Sequence, residues 1–142
     1  VDYEIRSPSE NRGLYCSIAL DSKDYPYICY CEKYNYIFLK LKYAYWNGSN
    51  WDIQVVDKTI DREGGGLYIV VDSNDLPHIS YYDDINRDLK YAYINGDNWQ
   101  IETIDNEGYV GEFTSIALDS KGNPYISYFD TTKGYLKMAW YE

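Results

Sequence analysis

The chain has 142 residues, 45% of them hydrophobic, which is about one domain in length and enough for a packed core. Its net charge of -10, from 23 acidic against 13 basic residues, argues against a general binder of nucleic acid or of anionic membrane, because both would be repelled. No run approaches the ~20 apolar residues of a membrane span, and no stretch reads as a signal-peptide core. The chain opens at Val1, which fits either a processed form or a piece of a longer protein.

Internal repetition governs the sequence. The opening segment Asp2-Tyr3-Glu4-Ile5-Arg6 is similar to Asp52-Ile53-Gln54-Val55-Val56 and to Gln100-Ile101-Glu102-Thr103-Ile104. Next comes Ile18-Ala19-Leu20-Asp21-Ser22 with Pro26-Tyr27-Ile28-Cys29-Tyr30, a block that returns from Ile69 to Tyr81 and again from Ile116 to Tyr128. Behind each copy stands a second block. Leu41 to Ile53 matches Leu89 to Ile101 at ten of thirteen positions, and a third copy begins at Leu136-Lys137-Met138-Ala139-Trp140. The starts lie 48 and 47 residues apart.

Each unit reads as four short strands punctuated by turn residues. In the second unit these fall at 67–72, 77–83, 89–95 and 98–104. Asp21, Asp72 and Asp119 open the first turn, and Pro26, Pro77 and Pro124 close it. Asn47-Gly48 and Asn95-Gly96 mark the third turn, where a type I′ hairpin would place two residues at positive φ. Trp51 and Trp99 follow these turns as structural wedges. No segment has a helical apolar period. Both faces of the second strands carry apolar or small residues, as a sheet sandwiched between other sheets requires.

Four-stranded units at this period match the blades of a β-propeller. The expected fold is therefore all-β, with three four-stranded antiparallel blades at about 13–57, 66–105 and 112–142, and residues 2–6 as an outer closing strand. Three blades do not close a ring. The expected partner is a second copy, giving a six-bladed ring by strand exchange in a homodimer; the alternative is the remainder of a longer chain.

The pairing of the Asp-Ser…Pro-Tyr/His-Ile-Ser/Cys-Tyr hairpin with the Leu-Lys-Tyr-Ala-Tyr…Asn-Gly…Trp hairpin resembles the repeats of bacterial and archaeal secreted Asp-box propellers of the sialidase-like class. Gly48 and Trp51, and Gly96 and Trp99, keep the Gly-x-x-Trp half of the Asp-box. Its polar half is replaced, with Trp46 and Ile94 at the Asp position and Ala44 and Ala92 at the Ser/Thr position. The resemblance implies the fold and an extracellular or cell-surface location. Sialidase-like chemistry would also need an arginine cluster and a tyrosine nucleophile, and the chain has only Arg6, Arg12, Arg62 and Arg87.

Candidate ligand-binding residues lie in the connections between units, Ser7 to Gly13, Lys58 to Gly66 and Asn106 to Glu112. Glu10, Arg12, Asp61, Arg62, Glu63, Glu107 and Tyr109 would there surround a central mouth, with Arg12 and Arg62 in equivalent loops. Such carboxylates suit a cation, calcium being the candidate, or a polyhydroxylated glycan. Glu32, Asp83-Asp84 and Asp130 follow the second strands and would extend an acidic face. His78 replaces Tyr27 and Tyr125 and has no surrounding metal-ligand pattern. Cys16, Cys29 and Cys31 are confined to the first unit. If Asp21 pairs with Pro26, Cys16 falls opposite Cys31 and a cross-strand disulfide could form. Asn47-Gly48-Ser49 is a glycosylation sequon as well as a turn.

Together these features favour a non-catalytic binding or assembly module, with a glycan or cation at an acidic mouth and no catalytic residue assigned. The alternatives are a polysaccharide-acting glycoside hydrolase or lyase, and a structural spacer within a larger propeller protein.

Overall fold

The computed structural model describes residues 12–33, 39–60 and 66–141. Eleven strands follow one another: β1 (Arg12–Leu20), β2 (Pro26–Lys33), β3 (Leu39–Trp46), β4 (Trp51–Ile60), β5 (Leu67–Val71), β6 (Pro77–Asp83), β7 (Asp88–Asn95), β8 (Asn98–Asp105), β9 (Val110–Leu118), β10 (Pro124–Asp130) and β11 (Tyr135–Trp140). They form three antiparallel meanders: β1-β2-β3-β4, β5-β6-β7-β8 and β9-β10-β11. The second unit differs from the sequence reading by no more than one residue at any strand end. The segment 2–6, expected as a closing strand, lies outside the described residues.

The turn chemistry explains why each unit folds alike. Asp21 Oδ1 accepts from the amides of Lys23 and Tyr25, Asp72 Oδ1 from Asn74 and Leu76, and Asp119 Oδ1 from Lys121 and Asn123, all at 2.8 Å. This side-chain mimic of a backbone turn is an Asx turn. It delivers the chain to Pro26, Pro77 and Pro124, the first residues of β2, β6 and β10, where a missing N–H is tolerated.

The third turn departs from the expected type I′. Asn95 pairs with Asn98, so the central residues are Gly96 and Asp97, and only Gly96 has positive φ. Glycine at the first central position is the type II′ pattern. In the first unit Trp46 pairs with Trp51, and the loop is four residues long.

The three sheets stack through their first strands, with β1 against β5 and β5 against β9. Tyr27, Cys29, Leu41, Tyr43 and Val56 of the first sheet pack with Leu67, Ile69, Ile79, Tyr81 and Ala92 of the second. A second core joins Leu89 and Tyr91 to Val110, Ile116, Ile126 and Tyr128. The middle sheet is therefore covered on both faces, as the apolar character of both strand faces requires.

One repeat position shares its backbone conformation across the three units, with a register shift there in β1 and β9, while in the second unit it lies just before β5. Tyr15, Gly66 and Phe113 occupy the same repeat position, and all three have positive φ, at 50°, 137° and 53°. In β1 the hairpin pairs Leu20, not Asp21, with Pro26, which already takes Cys16 out of register with Cys31, and the bulge then brings Leu14 opposite Cys31. The condition for a cross-strand disulfide is therefore not met, and none of the three cysteines is in a disulfide; Cys16 is exposed and Cys29 and Cys31 are buried.

Candidate functional site

Of the residues expected at an acidic mouth, Glu10, Asp61, Arg62 and Glu63 lie outside the described residues. Arg12 is not in a loop. It is the first residue of β1, paired with Glu32, because the strand continues beyond its bulge. Glu107 and Tyr109 are exposed in the β8–β9 connection. There the Arg87 guanidinium lies 3.9 Å from the centre of the Tyr109 ring, the Tyr109 amide donates to Thr132 Oγ1 at 2.7 Å, and Val110 N donates to Arg87 O at 3.1 Å. The connection is thus clasped between the β6–β7 and β10–β11 turns. Among the described residues, no group of three or more His, Cys, Asp or Glu side chains could hold a metal ion.

The carboxylates ending the second strands do not form an open acidic face. Glu32, Asp83 and Asp130 are all buried, and each stands beside the lysine of the neighbouring third strand. Lys42 lies 3.3 Å from Glu32, Lys90 2.5 Å from Asp83, and Lys137 3.8 Å from Asp130. A buried charge is tolerated only when paired, which is why these acids fold inward with their lysines.

The same cluster crosses the sheet boundary. Tyr81 donates its hydroxyl to Asp57 of the first sheet at 2.7 Å, and Lys90 stands 3.8 Å from that carboxylate. One boundary on, Tyr128 donates to Asp105 at 2.7 Å and Lys137 also bonds Asp105. Burial chiefly, and then Asp105, push the Tyr128 hydroxyl up to about 12. Burial works against the Asp83 carboxylate, yet the hydrogen bonds of Lys90 and Asn86 hold it below its ordinary value. Tyrosine, lysine and two carboxylates from two sheets thus form a repeated polar clamp. Its signal in the sequence is the lysine that follows a leucine at Leu41-Lys42, Leu89-Lys90 and Leu136-Lys137.

Trp99 is a second boundary device. Its ring meets Tyr43 edge-on with centroids 5.2 Å apart, and its indole N–H donates to Gln54 at 2.9 Å. At the next boundary Tyr141 takes this place, 6.0 Å from Tyr91, with its hydroxyl on Glu102. Trp51 instead packs on Trp46 within its own hairpin. His78 lies between Tyr91 and Asp72, with Nδ1 2.5 Å from the Tyr91 hydroxyl and Nε2 3.7 Å from Asp72. Burial lowers its pKa despite the nearby carboxylate. Tyr91 is itself buried and His78 half-buried, so the pair is packed between β6 and β7.

What remains open is apolar. In β1, Cys16, Ile18 and Leu20 are exposed, whereas at the same repeat positions of β5 Leu67 and Ile69 are buried and Val71 is half-buried. In β11, Leu136 is 75% exposed, whereas its counterparts Leu41 and Leu89 are 0% exposed. Met138 and Trp140 are exposed beside it. The first sheet thus bares the face that the second and third sheets cover, and the third bares the face that the first and second cover.

Comparison with known protein families found no matching family model, and comparison with curated proteins found no match either. Among the described residues, no helix is long and apolar enough to cross a membrane.

Proposed function

We propose that the chain is a non-catalytic assembly and binding module, an arc of three β-propeller blades whose outer faces are closed by further blades of a second copy. The reading is carried by one observation: the two bare faces are the opposite halves of the contact already made twice inside the chain. Ile18 bears the pattern that Ile69 and Ile116 bury, and Leu136 that of Leu41 and Leu89. A contact between unlike faces is head-to-tail, and it closes only where the rotation per sheet completes a circle. Two three-bladed arcs make six blades, within the ordinary propeller range.

The repeated polar groups favour this reading over an enzyme. The clamp at Asp57, Tyr81 and Lys90 recurs at Asp105, Tyr128 and Lys137. A catalytic centre would be expected to break the repeat in one blade. In a closed ring the inter-unit connections would surround one opening, where Glu107 and Tyr109 would meet a glycan or cation, and the acidic surface suits an extracellular setting.

Mass measurement in solution tests the assembly. A species of twice the 16.7 kDa chain mass supports the ring, and a single-chain mass at high concentration overturns it. A glycan array read with and without chelator tests the ligand.

A further inference from the structure

β3 is paired on both sides, by β2 and β4, and β7 by β6 and β8, whereas β11 is the terminal strand of its sheet with β10 as its one partner among the described residues. An unpaired strand edge is a template for another strand. The same strand presents Leu136, Met138 and Trp140 on the bare face of its sheet. Beside it opens a cleft of about 380 Å³ lined by Thr103, Ile104, Ala139, Trp140 and Tyr141.

We infer that the β11 edge is a receptor for residues Asp2–Arg6 of a second copy, which pair with it antiparallel as the fourth strand of the third sheet. This rests on the assembly proposed above and adds to it the identity of the bonded strand. The register follows from the other two units. Gln54 stands opposite Tyr43 and Glu102 opposite Tyr91, so Glu4 stands opposite Met138. Ile53 and Ile101 stand opposite Ala44 and Ala92, which puts Tyr3 opposite Ala139, a partly buried small residue beside the cleft.

The wedge position agrees with this assignment. Trp51 and Trp99 immediately precede Asp52 and Gln100, and the matching residue before Asp2 is Val1. A tryptophan there would compete for the place that Tyr141 already holds between Tyr91 and Glu102. The smaller valine leaves that place to Tyr141. Once seated, the strand pairs with the outer N–H and C=O groups of β11, while the face bearing Leu136, Met138 and Trp140 is left to a facing sheet.

The experiment mixes chains carrying E4C with chains carrying M138C, each also carrying C16S to remove the exposed native thiol. Directly opposed positions in an antiparallel pair are close enough for a disulfide. Under mild oxidation the expected result is a two-chain product, mapped by peptide mass to the two introduced thiols, on the order of tenfold above an E4C and D97C control pair. A species of twice the chain mass that links no better than the control overturns the strand assignment and leaves the assembly standing. A single-chain mass with no link overturns both. A link formed only within one chain, in the double variant E4C/M138C, overturns the second copy as the source of the strand.

Discussion

Ile18 and Ile69 hold the same place in the repeat, yet Ile18 is 62% exposed and Ile69 2% exposed. Their strands are built alike, and only the presence of a sheet in front of Ile69 separates them. Ile69→Asp buries an uncompensated carboxylate and is expected to cost about 3 kcal/mol or more of folding stability. Ile18→Asp should leave the folding of the single chain within about 0.5 kcal/mol, as surface changes do, and should halve the mass of any assembly. Urea unfolding of both variants, with mass measurement of the second, checks the pair. Equal losses of folding stability would show that Ile18 is covered within its own chain.

The Lys90 clamp predicts a large effect at a position that reads as an ordinary strand lysine. Lys90→Met leaves the fully buried Asp83 carboxylate with Asn86 and the amide of Ile85 but no cation, and also removes the cation beside Asp57. Breaking a buried pair from one side costs about 3–5 kcal/mol. Lys23→Met, at an exposed turn residue, should cost less than about 0.5 kcal/mol. Urea unfolding at neutral pH separates them. The Asp83 carboxylate sits below its ordinary value, so its contribution is present above the unfolded carboxylate range. It is lost as pH falls through the folded value, and the K90M difference should shrink there.

Much of this architecture was legible in the chain because turns and alternation are local. Asp72, Pro77 and the two apolar faces of β6 suffice to place a hairpin and a sandwiched sheet. The bulge at Tyr15 was not legible. A bulky residue at positive φ carries no compositional mark, unlike Gly66 at the same repeat position. The pairing of Leu20 rather than Asp21 with Pro26, which takes Cys16 away from Cys31, leaves none either. Asp83 and Asp130 were read as loop acids because each ends a strand. Their inward direction is set by Lys90 and Lys137 on the neighbouring strand and by Asp57 and Asp105 on another sheet. Pairings across that distance leave no spacing to read.

His78 makes a pH prediction of the opposite kind from a salt-bridged histidine. Burial lowers its pKa from the ordinary 6.5, so the folded state favours the neutral ring. As pH falls below the unfolded value the unfolded chain takes up a proton first, and stability declines until the folded value is passed. His78→Tyr installs the residue found at Tyr27 and Tyr125 and should remove that decline. Thermal melting of both proteins between about pH 7.5 and 5 checks it, and a variant curve parallel to the wild type would refute the assignment.

Two glycines at positive φ should respond differently to alanine. At Gly111 (φ 108°) an added Cβ would lie 2.8 Å from Leu89 Cα and 3.0 Å from its amide nitrogen, both backbone atoms of the adjoining sheet. At Gly96 (φ 64°) it would meet nothing within 4 Å. Gly96→Ala then carries only the conformational cost of the turn, about 1 kcal/mol. Gly111→Ala adds a forced separation of the second and third sheets and should exceed about 2 kcal/mol, the range of overpacking. Urea unfolding ranks the two, and a reversed order would mean that the sheets separate at little cost.

Thiol labelling reads the uncovered face directly. Cys29 is fully buried, and burial raises its thiol pKa well above the ordinary value, while Cys31 is buried and Cys16 exposed. The thiolate is the reactive species, so in the native single chain Cys16 should react with an aromatic disulfide reagent well before the other two. All three should react together in denaturant. Cys16 shares its side of β1 with Ile18 and Leu20, and Leu67 and Thr114 at its repeat position are buried. Closure by a second copy would cover it, so the Cys16 rate should fall as protein concentration rises, in step with the growth of the two-chain species. A rate independent of concentration while the mass doubles would place the contact on another surface.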